Sequence, residues 1–162
     1  MRAKGICSWV CGLLAGALLG GYYIGHKYCL LLESVRWQAN KNLAIIRLYD
    51  VWMMAKENSM GIDGYLSKKN ISSIAIYGMD CRGIRLFHEL KDTSLIIRYG
   101  VDRNPQTRIK GLDILHPDEI KKGSVDAIIV TAVFAFDEIQ KNLESKGFSR
   151  IISLDDILYD LI

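Results

Sequence analysis

The chain has 162 residues, half of them hydrophobic, which is enough for one domain with its own core plus an extension. Its net charge of +3 is split: residues 1–70 carry 9 Lys and Arg against 4 Asp and Glu, and residues 71–162 carry 12 against 14. Basic charge beside an apolar run suits a membrane surface. A nucleic-acid partner and a metal site are excluded, because no basic helix interleaves with aromatics and no Cys–His pair has ligand spacing.

Residues 5–25 read GICSWVCGLLAGALLGGYYIG, with no charge inside them and Arg2 and Lys4 before them. About 20 apolar residues at a helical rise cross a hydrocarbon core. Trp9, Tyr22 and Tyr23 stand where interfacial aromatics belong. The expectation is a single-pass membrane protein anchored in the lipid bilayer by residues 1–28, its soluble domain cytoplasmic. A cleaved signal peptide, with Ala15, Gly16 and Ala17 as its small-residue site, and a buried helix are the rival readings. Gly12, Gly16 and Gly20 form two overlapping G-x-x-x-G units on one face. Such a face pairs helices, in a homo-oligomer or with another membrane protein, although glycine is also common in membrane helices. Cys7 and Cys11 lie in the same run as small hydrophobes, and Cys81 is kept as a free thiol in a reducing compartment.

Residues 29–70 read as a helical linker. Leu32, Val35, Ala39, Leu43, Ile46, Tyr49 and Met53 recur at three- and four-residue steps. That pattern serves an amphipathic helix packed on its own domain or a short coiled coil. Gly61 and Gly64 break it, and YLSKKN forms a short helix closed at Asn70. Tyr65 and Lys69 have the spacing of a short-chain dehydrogenase pair, but they precede the glycine turn instead of following it, so the match is read as chance.

From residue 71 strands and helices alternate. Strands are expected at 73–77, 94–102, within 111–120, at 125–134 and at 148–154, with helices at 81–91, from Pro117, at 135–146 and over DDILYDLI at the end. Gly147 is a C-cap. The near-continuous apolar run VDAIIVTAVF suits a strand buried on both faces. Alternation at this spacing implies an α/β fold, a doubly wound parallel sheet of five strands in order 3-2-1-4-5. The ligand crevice of such a sheet lies at the carboxyl ends of strands one and four.

The segments IAIYGMDCRGIRLFHEL, YGVDRNP, IKGLDILHPDEI, VDAIIVTA and IISLDDIL, in that order, resemble a family of small Rossmann-like nucleotide-binding domains. Similar domains form the amino-terminal part of sugar O-acyltransferases and the lead-in domain of membrane-bound nucleotide-sugar epimerase/dehydratases. Others are encoded with bacterial glycosyltransferases. The resemblance covers about residues 60–162. It implies binding of NAD(P), a nucleotide or a nucleotide-sugar near the first turn, without hydride chemistry by this domain alone.

On that pattern Gly78 matches the first turn glycine and Gly83 the third, while Asp80 replaces the second, where bare backbone should meet a pyrophosphate. Asp80 also sits at the N-cap of the following helix. The turn is therefore either a diphosphate site, with Arg82 meeting a phosphate, or a self-capped turn that holds its own anion. Asp102 is placed to accept from ribose hydroxyls and Arg103 to meet a 2′-phosphate, or the two belong to an ordinary turn. Thr131 ends the fourth strand, where it faces the crevice or merely finishes the strand. His88 is expected to be exposed, and His116 precedes Pro117 in a loop.

No catalytic constellation is present: there is no nucleophile elbow, no Ser-x-x-Lys and no clustered carboxylates. The expected function is a membrane-anchored, non-catalytic nucleotide- or nucleotide-sugar-binding protein of bacterial envelope polysaccharide assembly, with glycosyltransferases among its partners. The alternatives are an NAD(P)-dependent oxidoreductase or epimerase-like enzyme and a ligand-free scaffold acting through helix pairing.

Overall fold

The computed structural model describes residues 3–59, 61–105 and 108–162, with side chains described from Gly16 onward except those of residues 17 and 18. The chain forms two units, Met1–Ile46 and Arg47–Ile162. Helix α1 runs Ala3–Glu57, so the first unit is helix and the second begins with its last turns.

Among the described residues no helix is long and apolar enough to cross a membrane. This corrects the expectation of a single-pass membrane protein with a cytoplasmic domain. The described apolar stretch from Leu19 meets His26 and Lys27 after Gly25, and Glu33, Arg36 and Lys41 follow at steps of less than two turns. A span needs about 20 uninterrupted apolar residues. The side chains of residues 5–15, Gly12 among them, lie outside the described residues. At Gly16 and Gly20 an added Cβ would meet nothing within 4 Å.

In the second unit, the end of α1 buries Leu48, Val51, Trp52 and Ala55. Helix α2 (Ile62–Lys68) follows and buries Ile62 and Leu66. It ends as expected at Asn70, which takes a left-handed φ of 56°. Asn70 N–H donates to Ser67 O, and Ile71 N–H donates to Leu66 O. These two bonds satisfy orphan carbonyls, while Ile71 packs into the same cluster as Leu66.

Five strands then form one parallel sheet: β1 (Ser73–Tyr77), β2 (Ile96–Val101), β3 (Ile114–Leu115), β4 (Ala127–Val130) and β5 (Ile151–Ser153). Their spatial order is β3-β2-β1-β4-β5, the order expected from the alternation. Helices α3 (Cys81–Leu90), α4 (Phe136–Ser145) and α5 (Leu154–Leu161) complete it.

Strand periodicity sorts the core into two layers. On one face Ile74, Ile76, Ala127 and Ile129 meet α1, α2, α3 and α5 through Trp52, Leu66, Leu86 and Leu158, among others. On the other, Ala75, Tyr77, Ile128 and Val130 meet α4 through Ile139 and Leu143. Helix α4 closes at Gly147 (φ 88°), whose N–H donates to Glu144 O while Phe148 N–H donates to Leu143 O.

The helix expected from Pro117 is a turn instead. Glu119 folds its carboxylate back onto His116 N–H at 2.7 Å, and Gly123 takes a φ of 77°. That bond closes a turn at Pro117–Glu119, and no helix continues from it. A 3-10 turn, Val133–Ala135, leads into α4, so the fourth strand is shorter than the apolar run around it.

Candidate functional site at the carboxyl edge of the sheet

β1 ends at Tyr77 and the chain turns at Gly78, whose φ of 95° strains any L side chain. A Cβ there would also stand 2.8 Å from Thr131 Oγ1. At Gly83 a Cβ would collide with the carbonyl oxygen of Gly78. The first glycine thus permits the turn, and the second lets α3 sit directly against the end of β1.

Asp80 is the N-cap of α3, and its Oδ1 accepts from Arg82 N–H at 2.9 Å. The Arg82 side chain folds back onto the same carboxylate through Nε and Nη2. Burial works against the Asp80 charge, but the side-chain and backbone bonds from Arg82, its charge and a bond from Gly83 N–H carry the pKa below its usual value. Arg82 itself is only 8% exposed. Its remaining nitrogen, Nη1, is buried without a hydrogen-bond partner.

Asp102, just past β2, returns to the turn. Its Oδ2 accepts from Met79 N–H at 2.8 Å, and its Oδ1 accepts from Asn104 N–H at 2.8 Å. Two carboxylates, from Asp80 and Asp102, therefore converge on the backbone donors between Gly78 and Gly83. Arg103 is exposed and pairs with Glu138 at 2.7 Å. Thr131 is fully buried; its hydroxyl donates to Gly78 O at 2.5 Å. It ties the end of β4 to the turn, while Gly78, Asp80, Arg82, Gly83 and Asp102 meet around one point.

A cleft of about 490 Å³ opens at the same edge, on the α4 side, lined by Tyr77, Arg103, His116, Glu138, Lys141 and Asn142 among others. His116 Nδ1 lies 3.3 Å from Asp118 Oδ2, and Lys146 bridges to the same Asp118 at 2.9 Å.

A family model described as C2185-like, N-terminal, matches residues 70–152. The chain belongs to the C2185-like family. No curated protein and no solved structure matches it. The matched C2185-like segment runs from just before β1 to β5 and contains all seven residues singled out at the carboxyl edge.

Outside the matched segment, Tyr65 on α2 and Lys69 at its C-cap stand together. Lys69 Nζ donates to the Tyr65 hydroxyl at 2.5 Å, and that hydroxyl donates to Asp160 Oδ2 at 2.6 Å. Burial and Asp160 raise the tyrosine pKa. A tyrosine serving as general base at neutral pH needs the opposite shift. His88 is exposed, in agreement with the expectation. Among the described residues no three His, Cys, Asp or Glu are grouped to hold a metal ion.

Two clusters went unnoticed in the sequence. Asp126 latches the amino-terminal ends of β1 and β4, accepting from Ser72 N–H at 3.0 Å, Ser72 Oγ at 2.7 Å and Ser73 N–H at 2.9 Å. These bonds, the Ser72 hydroxyl first, hold its carboxyl well below the usual carboxylate range. A Ser-Ser pair opening one strand and an Asp opening another was the available signal. The other cluster is a cleft of about 580 Å³ between the end of α1 and the outer face of α3. There Glu89 accepts from Trp52 Nε1 at 2.7 Å and pairs with Lys56 at 2.8 Å. No local motif announces it, because its residues come from two distant helices.

Proposed function

We propose that this domain binds a nucleotide or nucleotide-sugar across the carboxyl edge of its sheet and does not transform it. The observation that carries the reading is Arg82: a buried cation on the first turn of α3, beside a glycine turn, with Nη1 unpartnered. Buried guanidinium groups keep their charge, and a buried donor without an acceptor is costly. A phosphate oxygen at the helix N-terminus supplies that acceptor and adds a favourable dipole interaction. In this reading Asp102 keeps one oxygen on Met79 and offers the other to a ribose, with Arg103 at the mouth of the neighbouring cleft. The resemblance to domains of nucleotide-sugar enzymes makes envelope glycan assembly the setting.

A second reading, a scaffold without a ligand, is favoured by Asp80 and Asp102. Their carboxylates already occupy backbone donors that a diphosphate would use. Thermal melting of the full chain with NAD, NADP and several nucleotide-sugars separates the two readings. Binding predicts that one class raises the melting temperature by several degrees at about 100 times its Kd. Arg82→Ala should lose that shift relative to its own unliganded melt. If no class shifts the wild-type melt, or if Arg82→Ala keeps the full shift, the binding reading fails at this site.

A further inference from the structure

The glycine turn also limits the kind of nucleotide it holds, because its backbone donors are largely taken. Gly78 N–H donates to Val101 O, and Ile84 N–H donates to Asp80 O. Asp102 accepts from Met79 N–H, and Asp80 accepts from Arg82 N–H and Gly83 N–H. The consecutive N–H groups of Asp80 and Cys81 have no acceptor among the described residues, and both residues are exposed. Arg82 Nη1, buried and unpartnered, stands on the same first turn of α3. Those donors match the terminal oxygens of a single phosphoryl group. A diphosphate would need the donors that Asp80 and Asp102 already hold.

Charge points the same way. One guanidinium stands against two carboxylates here, so the turn is formally negative. Arg103, next along from Asp102, is paired with Glu138 at 2.7 Å. The N-terminus of α3 adds only about half a positive charge. Arg82 and the helix end together offset one phosphate charge. Each further charge on a ligand meets the Asp80 carboxylate, which is 49% exposed beside the two unpartnered N–H groups. Like charges a few ångströms apart at a protein surface cost roughly tenfold or more in binding. Where a dinucleotide turn has bare backbone at this position, this chain has a fixed anion.

We propose, resting on the binding reading above, that the turn accepts one phosphoryl group and rejects two, with Asp80 as the residue that sets the limit. The ligand is then a nucleoside monophosphate, free or joined to a sugar through that single phosphate.

Isothermal titration calorimetry on the full chain tests it, with the mono- and diphosphates of adenosine, guanosine, cytidine and uridine. For the base that binds, the monophosphate should bind at least ~10-fold tighter than the diphosphate. Asp80→Asn keeps an N-cap and removes the charge. It should tighten the diphosphate at least ~10-fold more than the monophosphate, closing the gap. The methyl diester of the preferred monophosphate separates the two sources: retained affinity assigns a sugar-linked nucleotide, and lost affinity assigns the free one. The inference is overturned, with the binding reading left standing, if the wild type binds the diphosphate as tightly as the monophosphate. It is overturned in the same way if Asp80→Asn leaves the preference unchanged. The wild-type comparison needs no variant, so it decides the matter even if Asp80→Asn fails to fold. If neither protein binds any of these nucleotides, the binding reading fails as well.

Discussion

The two units use their apolar residues in opposite ways. In Arg47–Ile162 the buried side chains of β1 and β4 are divided between two helical layers, and Ile74, Ile76, Ile128 and Ile129 are sealed from water. In Met1–Ile46 the described leucines and tyrosines, with Ile24 and Ile46, stand about half or more exposed along one helix. The difference is one of closure. A sheet with crossovers on both faces completes its own core, whereas a single helix can bury its stripe only against something else. Stability should therefore reside in the α/β unit, with little contribution from the helix before Arg47.

Substitutions can break or sharpen that division. The largest effect is expected at Gly83→Ala, where the new methyl group collides with Gly78 O. A loss of about 3 kcal/mol in denaturant unfolding is expected, or failure to fold. Leu86→Ala should follow, at about 2–5 kcal/mol, because Leu86 is fully buried and its cavity cannot collapse without moving α3 off the sheet.

Asp126 gives a smaller, pH-dependent effect. Its folded-state pKa lies below the ordinary value, so its contribution is complete above about pH 3.9 and is lost as pH falls from there towards the depressed folded value. Asp126→Asn should lower the melting temperature at neutral pH and flatten its decline below about pH 4, as followed by circular dichroism. The smallest effect on stability is expected from Ile46→Glu. That side chain is 64% exposed, so the melt should stay within about 0.5 kcal/mol of the parent. A large destabilisation there would erase the distinction between the units.

Much of the fold was legible because its signals are local and repeated. Strand–helix alternation gave the sheet order, and Asn70 and Gly147 marked helix ends that hydrogen bonds now explain. The turn after Pro117 was misread because a proline at a helix-favouring start does not show that a helix follows; here Glu119 bonds back to His116 N–H and closes a turn. The membrane span expected over the first 28 residues is not found among the described residues, where His26 and Lys27 close the apolar stretch that begins at Leu19. At the site, the glycine spacing pointed to the right turn, and Asp80 was recognised as a cap. The return of Asp102 to Met79 and the burial of Arg82 depend on contacts between β1, β2 and α3, which no spacing in the chain encodes. The same is true of the Thr131 hydroxyl, which bonds to a carbonyl more than fifty residues earlier.

The most direct test of the proposed site is a nitrogen-15 NMR titration of the full chain. The ligand would be whichever of NAD, NADP or a nucleotide-sugar raises its melting temperature most. If Arg82 and the start of α3 hold the phosphate, the amide signals of Met79, Arg82 and Gly83 and the Arg82 Nε signal should move first and furthest, and Arg82→Ala should abolish the movement. If those signals stay fixed while the ligand saturates, the claim is contradicted: the turn is filled by its own carboxylates, and the ligand binds elsewhere.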